Sequence, residues 1–128
     1  MATKSRSKGE KRRVEASIQR HLVKWLGEQF PHVRVVATLN ENNRHCMDMG
    51  CQEGITDLLL FWDRNGDGVE HIFYLELKTK TGTLSEPQIE WAEKRPIRSN
   101  THYAVAYGFS QAKDICSKIM LDTNRAIL

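Results

Sequence analysis

The sequence predicts an α/β domain in which a mixed β-sheet is flanked by helices, in the order α-β-β-β-α-β-α. Three observations lead to this prediction. Apolar residues recur at helical spacing near both ends of the chain, whereas four short runs are rich in β-branched and aromatic residues. A turn rich in Gly, Asn and Asp separates two of these runs. The length of 128 residues fits one compact domain.

The N-terminal part predicts a helix, a strand and a loop. The helix extends from about Lys11 to Phe30, and its apolar residues recur three and four positions apart: Val14, Ile18, Leu22, Trp25 and Leu26. Pro31 ends it, because proline lacks a backbone N–H. VRVVATL, residues 33–39, is rich in β-branched residues and predicts a strand. Residues 40–54 are polar and irregular, which predicts a long loop.

The middle of the chain predicts a hairpin. ITDLLLFW, residues 55–62, and VEHIFYLELKTK, residues 69–80, form its strands, and DRNGDG, residues 63–68, forms the turn. The turn also matches the opening of an EF-hand calcium loop. Position twelve of such a loop would be Tyr74 instead of glutamate, and strands replace the flanking helices. A hairpin turn is therefore the better interpretation.

The C-terminal part predicts a helix, a strand and a closing helix. SEPQ, residues 85–88, is a capping box in which Ser85 caps a helix that continues to about Ile97. HYAVAYGF, residues 102–109, predicts the fourth strand, and SQAKDICSKIML, residues 110–121, predicts the last helix.

The charge is unevenly distributed along the chain. The formal net charge is +3, but residues 1–13 alone carry +5 and the other 115 residues carry −2. Such a segment is either a solubilising tail or an arm that neutralises nucleic-acid phosphates. We therefore divide the chain into a basic arm, residues 1–13, and a single domain, residues 14–128. The basic residues of the arm are Lys4, Arg6, Lys8, Lys11, Arg12 and Arg13.

Composition disfavours membrane, secreted and zinc-binding proteins. No apolar run is long enough to span a bilayer, and the N-terminus lacks the apolar segment of a secretory signal. Three cysteines, an odd number, indicate reduced thiols, so we expect a cytoplasmic protein without membrane association. His45, Cys46 and Cys51 are potential zinc ligands in one loop. A fourth ligand and a CxxC motif are missing, which disfavours zinc.

Two charged residues interrupt a predicted strand, residues 69–80, that is apolar enough to be central in the sheet. Side chains alternate along a strand, so Glu76 and Lys78 share one face, and the hairpin brings Asp57 close to Glu76. The simpler interpretation is an ion pair at a sheet edge. However, a carboxylate among apolar residues costs free energy unless it is paired or binds a metal. Two converging carboxylates favour a Mg²⁺ or Mn²⁺ site with an ammonium group beside it.

Glu15 and Gln88 are further candidates for this site. Glu15 lies on the apolar stripe of the first helix, although a position at the fringe of that stripe, with its carboxylate in water, fits equally well. Gln88 is the last residue of the capping box, and that role alone suffices to explain it. A role of Gln88 in the site stays an alternative.

These residues resemble the PD-(D/E)XK signature of the restriction-endonuclease-like superfamily, because the Asp of ITD precedes the Glu of ELK by nineteen positions. The layout of Glu15, GITDLLLF, YLELKTKTGTLSEPQIEW and YAVAYGF is similar to the VRR-NUC, or virus-type replication-repair nuclease, domain. The similarity extends over about residues 11 to 120. One departure is Thr56, which stands where the motif has a proline. Proline is not a ligand, so this departure weakens recognition of the motif more than its chemistry.

The resemblance implies a restriction-endonuclease-like fold and a metal-dependent DNA endonuclease of phage or bacterial type. It implies Mg²⁺ or Mn²⁺ held by Asp57, Glu76 and the backbone carbonyl of Leu77. Lys78 would act on the attacking water and the phosphate charge, and Glu15 would assist the metal site.

The resemblance extends to partners. Gln88 would contact the metal site or the nucleic acid, and Lys80 would join the basic arm in binding DNA. Stand-alone members of the family resemble dimeric enzymes that cut branched DNA such as four-way junctions, so a homodimer is expected. Two other classes stay open: a non-catalytic nucleic-acid-binding module with the same fold, and a structural metal-binding domain. The presence of Asp57, Glu76 and Lys78 together favours the enzyme.

Overall fold

The computed structural model describes residues 7–38, 50, 52–63 and 68–125, with side chains up to 121, and it confirms the predicted α/β fold. A four-stranded sheet has the strand order β1-β2-β3-β4. The first three strands are antiparallel neighbours, and β3 and β4 are parallel, so the sheet is mixed as predicted. The strands are β1 Arg34–Ala37, β2 Leu58–Asp63, β3 Glu70–Lys78 and β4 Thr101–Tyr107.

Among the described residues, three helices flank the sheet: α1 Lys8–Gln29, α2 Glu86–Lys94 and α3 Phe109–Arg125. α1 begins three residues earlier than predicted, because the Ser7 side chain accepts a hydrogen bond from Glu10 N (3.2 Å) and caps it. The predicted end of α2 was three residues too late. Pro96 disfavours helical geometry at Arg95, which caps the helix in an extended conformation. None of the described helices is long and apolar enough to cross a membrane.

The hydrophobic core lies between α1, α3 and one face of the sheet. The apolar stripe of α1 is buried there as predicted, at Ile18, Leu22 and Leu26. Burial of one such side chain contributes about 1.5–3 kcal/mol. Cys116 of α3 is in the same core, where burial raises the pKa of its thiol to about 12 and keeps it protonated. The sheet contributes Leu58, Leu60, Trp62, Phe73, Leu75, Leu77 and Ala106.

The opposite face of the sheet carries α2 and a group of aromatic residues. The ring of Trp91 in α2 lies 5.0 Å from that of Tyr74 and 6.5 Å from that of Tyr103. Its indole N–H donates to Oε1 of Gln52 (3.0 Å), and the guanidinium of Arg95 lies 4.3 Å from the centre of the Tyr103 ring. α2 is thus held over the face on which Glu76 and Lys78 were predicted to lie.

A histidine pair lies at the other end of β3, with His71 buried and His102 half-buried. Nδ1 of His71 and Nε2 of His102 share a 3.0 Å hydrogen bond, and both rings stack on Trp62 at 5.4 and 5.5 Å. The pKa of His102 is lowered, first by burial and then by the proximity of His71. The unfolded chain therefore binds more protons than the folded one as the pH falls past about 6.5.

We expect the fold to lose stability between about pH 7 and pH 5 because of this pair. The melting temperature of the wild type should fall by a few degrees more over this range than that of His102→Asn, whose amide cannot titrate. Thermal unfolding of both proteins at several pH values measures the difference. Parallel pH profiles would show that the histidine pair does not set the acid sensitivity.

Candidate active site

Asp57 is fixed at the end of the hairpin by main-chain hydrogen bonds. It precedes β2, and the pairing of Leu58 with Leu75 places it across from Glu76. Its Oδ2 accepts a hydrogen bond from the backbone N–H of Leu77 (2.7 Å). Thr56, which replaces the motif's proline, is buried and donates its hydroxyl to the carbonyl of Leu58 (3.2 Å). The buried hydroxyl group of Thr56 therefore has a hydrogen-bond acceptor two residues along the chain.

Glu76 is a buried carboxyl group whose two oxygens differ. The residue is 2% exposed, and its Oε1 accepts a hydrogen bond from Nε2 of Gln88 (3.0 Å). Oε2 is buried, and no N–H or O–H donor of the described residues contacts it, although the carboxyl group as a whole shares a hydrogen bond with that of Asp57. Burial, followed by the negative charge of Asp57, raises the pKa of Glu76 to about 9, although the nearby Lys78 opposes this shift. In the absence of a cation the two carboxyl groups therefore retain a proton at neutral pH.

Lys78 places an ammonium group beside this pair. Its Nζ is 3.9 Å from Oε1 of Glu76, and the residue is 9% exposed. The carbonyl of Lys78 accepts a hydrogen bond from the N–H of Gly108 (2.9 Å), which continues the parallel pairing with β4. The structure thus places Asp57, Glu76 and Lys78 on one face at one end of the sheet, where the sequence predicted them.

Gln88 caps α2 and contacts Glu76 at the same time. Its Oε1 accepts the N–H of Ser85 (2.9 Å), and its own backbone N–H donates to Ser85 Oγ (3.3 Å). The side-chain oxygen is therefore used by the cap, which directs the amide nitrogen to Glu76. The structure therefore shows the capping role of Gln88 and, in addition, a hydrogen bond from its side chain to Glu76.

Gly54 allows the segment before β2 to approach the start of α2. A Cβ atom at Gly54 would lie 2.1 Å from the carbonyl oxygen of Pro87 and 2.9 Å from the backbone nitrogen of Gln88. The residue also has φ +83°, which non-glycine residues rarely adopt. The sequence does not predict a role for Gly54, because no local pattern indicates a contact with a helix more than thirty residues later.

Gly54→Ala is expected to displace Gln88 from Glu76. Strain and overpacking together should destabilise the protein by about 2–4 kcal/mol and reduce any catalysis that depends on Gln88. Gly50→Ala is a matched control, because Gly50 has φ +96° but no atom within 4 Å of an added Cβ. Melting temperatures of the two variants separate the clash from backbone strain. Equal losses in both would contradict a specific role of the Gly54–Pro87 contact.

The remaining predicted site residues that the structure describes lie on α1 or just beyond β3. Glu15 is half-buried on α1, and its charge contributes a smaller part of the upward pKa shift of Glu76, after burial and Asp57. Lys80 is exposed just beyond β3. Four residues of the predicted arm lie in the first turns of α1, namely Lys8, Lys11, Arg12 and Arg13. Five residues named in the sequence analysis lie outside the described residues: Lys4, Arg6, His45, Cys46 and Cys51.

The donor groups fit a small, hard divalent cation. Asp57 and Glu76 offer carboxylate oxygens, and Oε2 of Glu76 is buried with no N–H or O–H donor from the described part of the chain. The backbone carbonyl of Leu77 is the third donor that the sequence resemblance implied. In the described part of the chain no group of three or more His, Cys, Asp and Glu side chains could hold a metal. Two carboxylates suit Mg²⁺, which usually keeps several waters and binds few protein ligands.

Tyr103 is a neighbour of the site that sequence reasoning missed. Its pKa is raised, first by burial and then by the charge of Glu76. It pairs with Tyr74 across the parallel strands, which places it on the same face of the sheet as Glu76. The sequence alone does not indicate that Tyr103 lies near Glu76, because the neighbours of a strand residue depend on the register between strands.

Comparison with known proteins identifies the family of this chain. The model of the VRR-NUC domain matches residues 4–110, which include Asp57, Glu76, Lys78 and Gln88. Neither the curated proteins nor the solved structures gave a match. The family model covers most of the 128 residues. The chain therefore belongs to the VRR-NUC domain family.

Proposed function

We propose that the domain is a divalent-metal-dependent endodeoxyribonuclease that acts on branched DNA. Its family implies a nuclease-type function, and nucleases of this kind generally use divalent metals. The observation that carries the finer proposal is the environment of Glu76. It is buried against the carboxyl group of Asp57, with which it shares a side-chain hydrogen bond, and it lies next to the ammonium of Lys78. A carboxyl group in this state is poised to exchange its proton for a cation.

In this proposal Asp57, Glu76 and the backbone carbonyl of Leu77 hold Mg²⁺ or Mn²⁺, which would polarise the scissile phosphate when bound. The ammonium of Lys78 stabilises the negative charge that develops on the phosphoryl oxygens. Gln88 keeps the carboxylate of Glu76 in one orientation through its 3.0 Å hydrogen bond. Glu15 adds negative charge near the pair and so strengthens the attraction for a cation.

The proposed substrate is a DNA branch such as a four-way junction, and the proposed enzyme is a homodimer. A two-fold dimer would present two metal sites to a two-fold substrate, which accounts for paired cuts. The positive charge at the start of the chain supports DNA as the partner, because phosphate neutralisation provides most of the affinity. The residues assigned to this role are Lys4, Arg6, Lys8, Lys11, Arg12, Arg13 and Lys80.

A panel of linear, flapped, forked and four-way DNA tests the proposal. Cleavage should require Mg²⁺ or Mn²⁺, stop with EDTA and be fastest on the four-way substrate. Light scattering of the same preparation at micromolar concentration should give the mass of a dimer. DNA binding without metal-dependent cleavage would favour the non-catalytic binding module. A monomer that only nicks one strand would overturn the two-fold argument.

A further inference from the structure

A groove outside the candidate active site lies between α1 and the start of α3. It has a volume of about 620 Å³, within the range of sites for small ligands. Ile18 is buried at its base, whereas Arg13 and His21 are exposed along it. The lining residues are Glu10, Arg13, Val14, Ser17, Ile18, His21 and Phe109.

The groove is at the same end of the sheet as the candidate active site. Its residue Val14 precedes Glu15, whose charge reaches Glu76. On the other wall, Phe109 follows Gly108, whose N–H donates to the carbonyl of Lys78 (2.9 Å). One wall of the groove is therefore adjacent in sequence to Glu15, and the other is adjacent to Gly108, which contacts Lys78.

The chemistry of the groove combines aromatic rings with cations. The rings of His21 and Phe109 meet edge to face at 5.9 Å, and the ammonium of Lys113 lies 4.5 Å from the centre of the Phe109 ring. Nδ1 of His21 is 2.7 Å from the carbonyl of Ser17, which can only accept. Nδ1 therefore carries the hydrogen, and the imidazole is fixed against the wall.

We propose that this groove binds one nucleotide of the DNA strand that leaves the active site. The base would lie against His21 and Phe109, with Arg13 and Lys113 on its phosphates and the Glu10 carboxylate accepting from a base amino group. Aromatic contacts with bases and cationic contacts with phosphates are how proteins hold single strands. Charge complementarity identifies the occupant: Arg13 and Lys113 flank the groove, and Lys11 and Arg12 are adjacent on α1. The inference rests on the proposed nuclease function.

DNA binding measured in EDTA tests the groove without any cleavage. Ser17→Tyr fills the groove from a surface position of α1, and it should weaken binding of a fluorescent single-stranded oligonucleotide at least about fivefold, the loss of one stacked base. Val23→Tyr is the matched control, since Val23 is exposed on the same helix and does not line the groove. Arg13→Gln should lower the slope of log affinity against log salt by about one.

A base analogue in the strand locates the nucleotide. 2-Aminopurine at successive positions of the oligonucleotide should be quenched at one position by the wild type and by Val23→Tyr, but not by Ser17→Tyr. If Ser17→Tyr binds the oligonucleotide and quenches 2-aminopurine as the wild type does, the groove proposal is wrong. Cleavage of DNA by the same preparation would still support the nuclease proposal. Conversely, a groove that behaves as predicted in a protein that never cleaves DNA would overturn only the nuclease proposal. Absence of any DNA binding by the wild type would overturn both.

Discussion

Asp57→Asn and Glu76→Gln are each expected to lower the rate of metal-dependent DNA cleavage at least about a thousandfold. Both variants keep the shape of the side chain but remove a negative charge that the proposed metal site needs. A bound metal contributes several kcal/mol to stabilisation of the transition state, and about 4 kcal/mol corresponds to this factor. Asparagine at position 57 can still accept from the N–H of Leu77, so the hairpin end should stay intact. Single-turnover cleavage of the preferred DNA measures the effect.

Glu76→Gln should at the same time stabilise the metal-free protein. The folded-state pKa of Glu76 is about 9, against an ordinary value of 4.5, so the folded state holds a proton that the unfolded chain releases. Stability of the wild type therefore falls as the pH rises through this interval, whereas glutamine has no proton to lose. We expect the melting temperature of Glu76→Gln to exceed that of the wild type by about 5 °C or more at pH 8, and by less at pH 5.

The control for this pair of measurements is Glu93→Gln, because Glu93 is exposed on α2. It should leave cleavage and the pH dependence of the melting temperature unchanged. Residual metal-dependent cleavage by Asp57→Asn or Glu76→Gln would remove those residues from the catalytic site. A Glu76→Gln profile parallel to that of the wild type would show that the carboxyl group is ionised in the folded protein.

Lys78→Met is expected to reduce the cleavage rate about 100- to 1000-fold while changing DNA affinity much less. Its ammonium lies beside Glu76, where it would stabilise charge that is greatest in the transition state. Methionine keeps an unbranched apolar stem in a position that is 9% exposed. The rate at saturating protein and the dissociation constant in EDTA separate the two effects.

Lys80→Met provides the comparison two residues along the chain. Lys80 is exposed beyond the end of β3, so its charge should contribute to affinity and to the salt dependence of binding, with little effect on the rate at saturation. Equal losses of rate and affinity in Lys78→Met would instead assign Lys78 to phosphate anchoring. A fall in the saturated rate of Lys80→Met would extend the chemical site beyond the buried pair.

The sequence was sufficient to predict the order of the elements and the meeting of the charged residues. Alternation along β3 places Glu76 and Lys78 on one face, and the antiparallel register brings Asp57 to Glu76. These relations follow from strand geometry and a short turn, so they need no knowledge of the rest of the fold. The start of α1 and the end of α2 differ from the prediction because the Ser7 cap and the Arg95–Pro96 bond determine them.

Contacts between distant segments were beyond the reach of the sequence. The stacking of His71 and His102 on Trp62 depends on which strands are neighbours and in which register. The approach of Gly54 to Pro87 likewise depends on how α2 docks on the sheet. Periodicity predicts which side of a helix or strand is buried, but it does not predict which residues of other elements that side contacts.

The Ser85–Gln88 capping box links the stability of α2 to the geometry of the candidate active site, because Gln88 both caps the helix and contacts Glu76. A helix of nine residues is too short to be stable by itself, and opening of its first turn would release Gln88 from Glu76 while the core stays folded. Local opening of this kind requires less free energy than global unfolding. Heat should therefore inactivate the domain reversibly, several degrees below the temperature at which its core melts. The amides of the first turn of α2 should exchange hydrogen faster than those of β3.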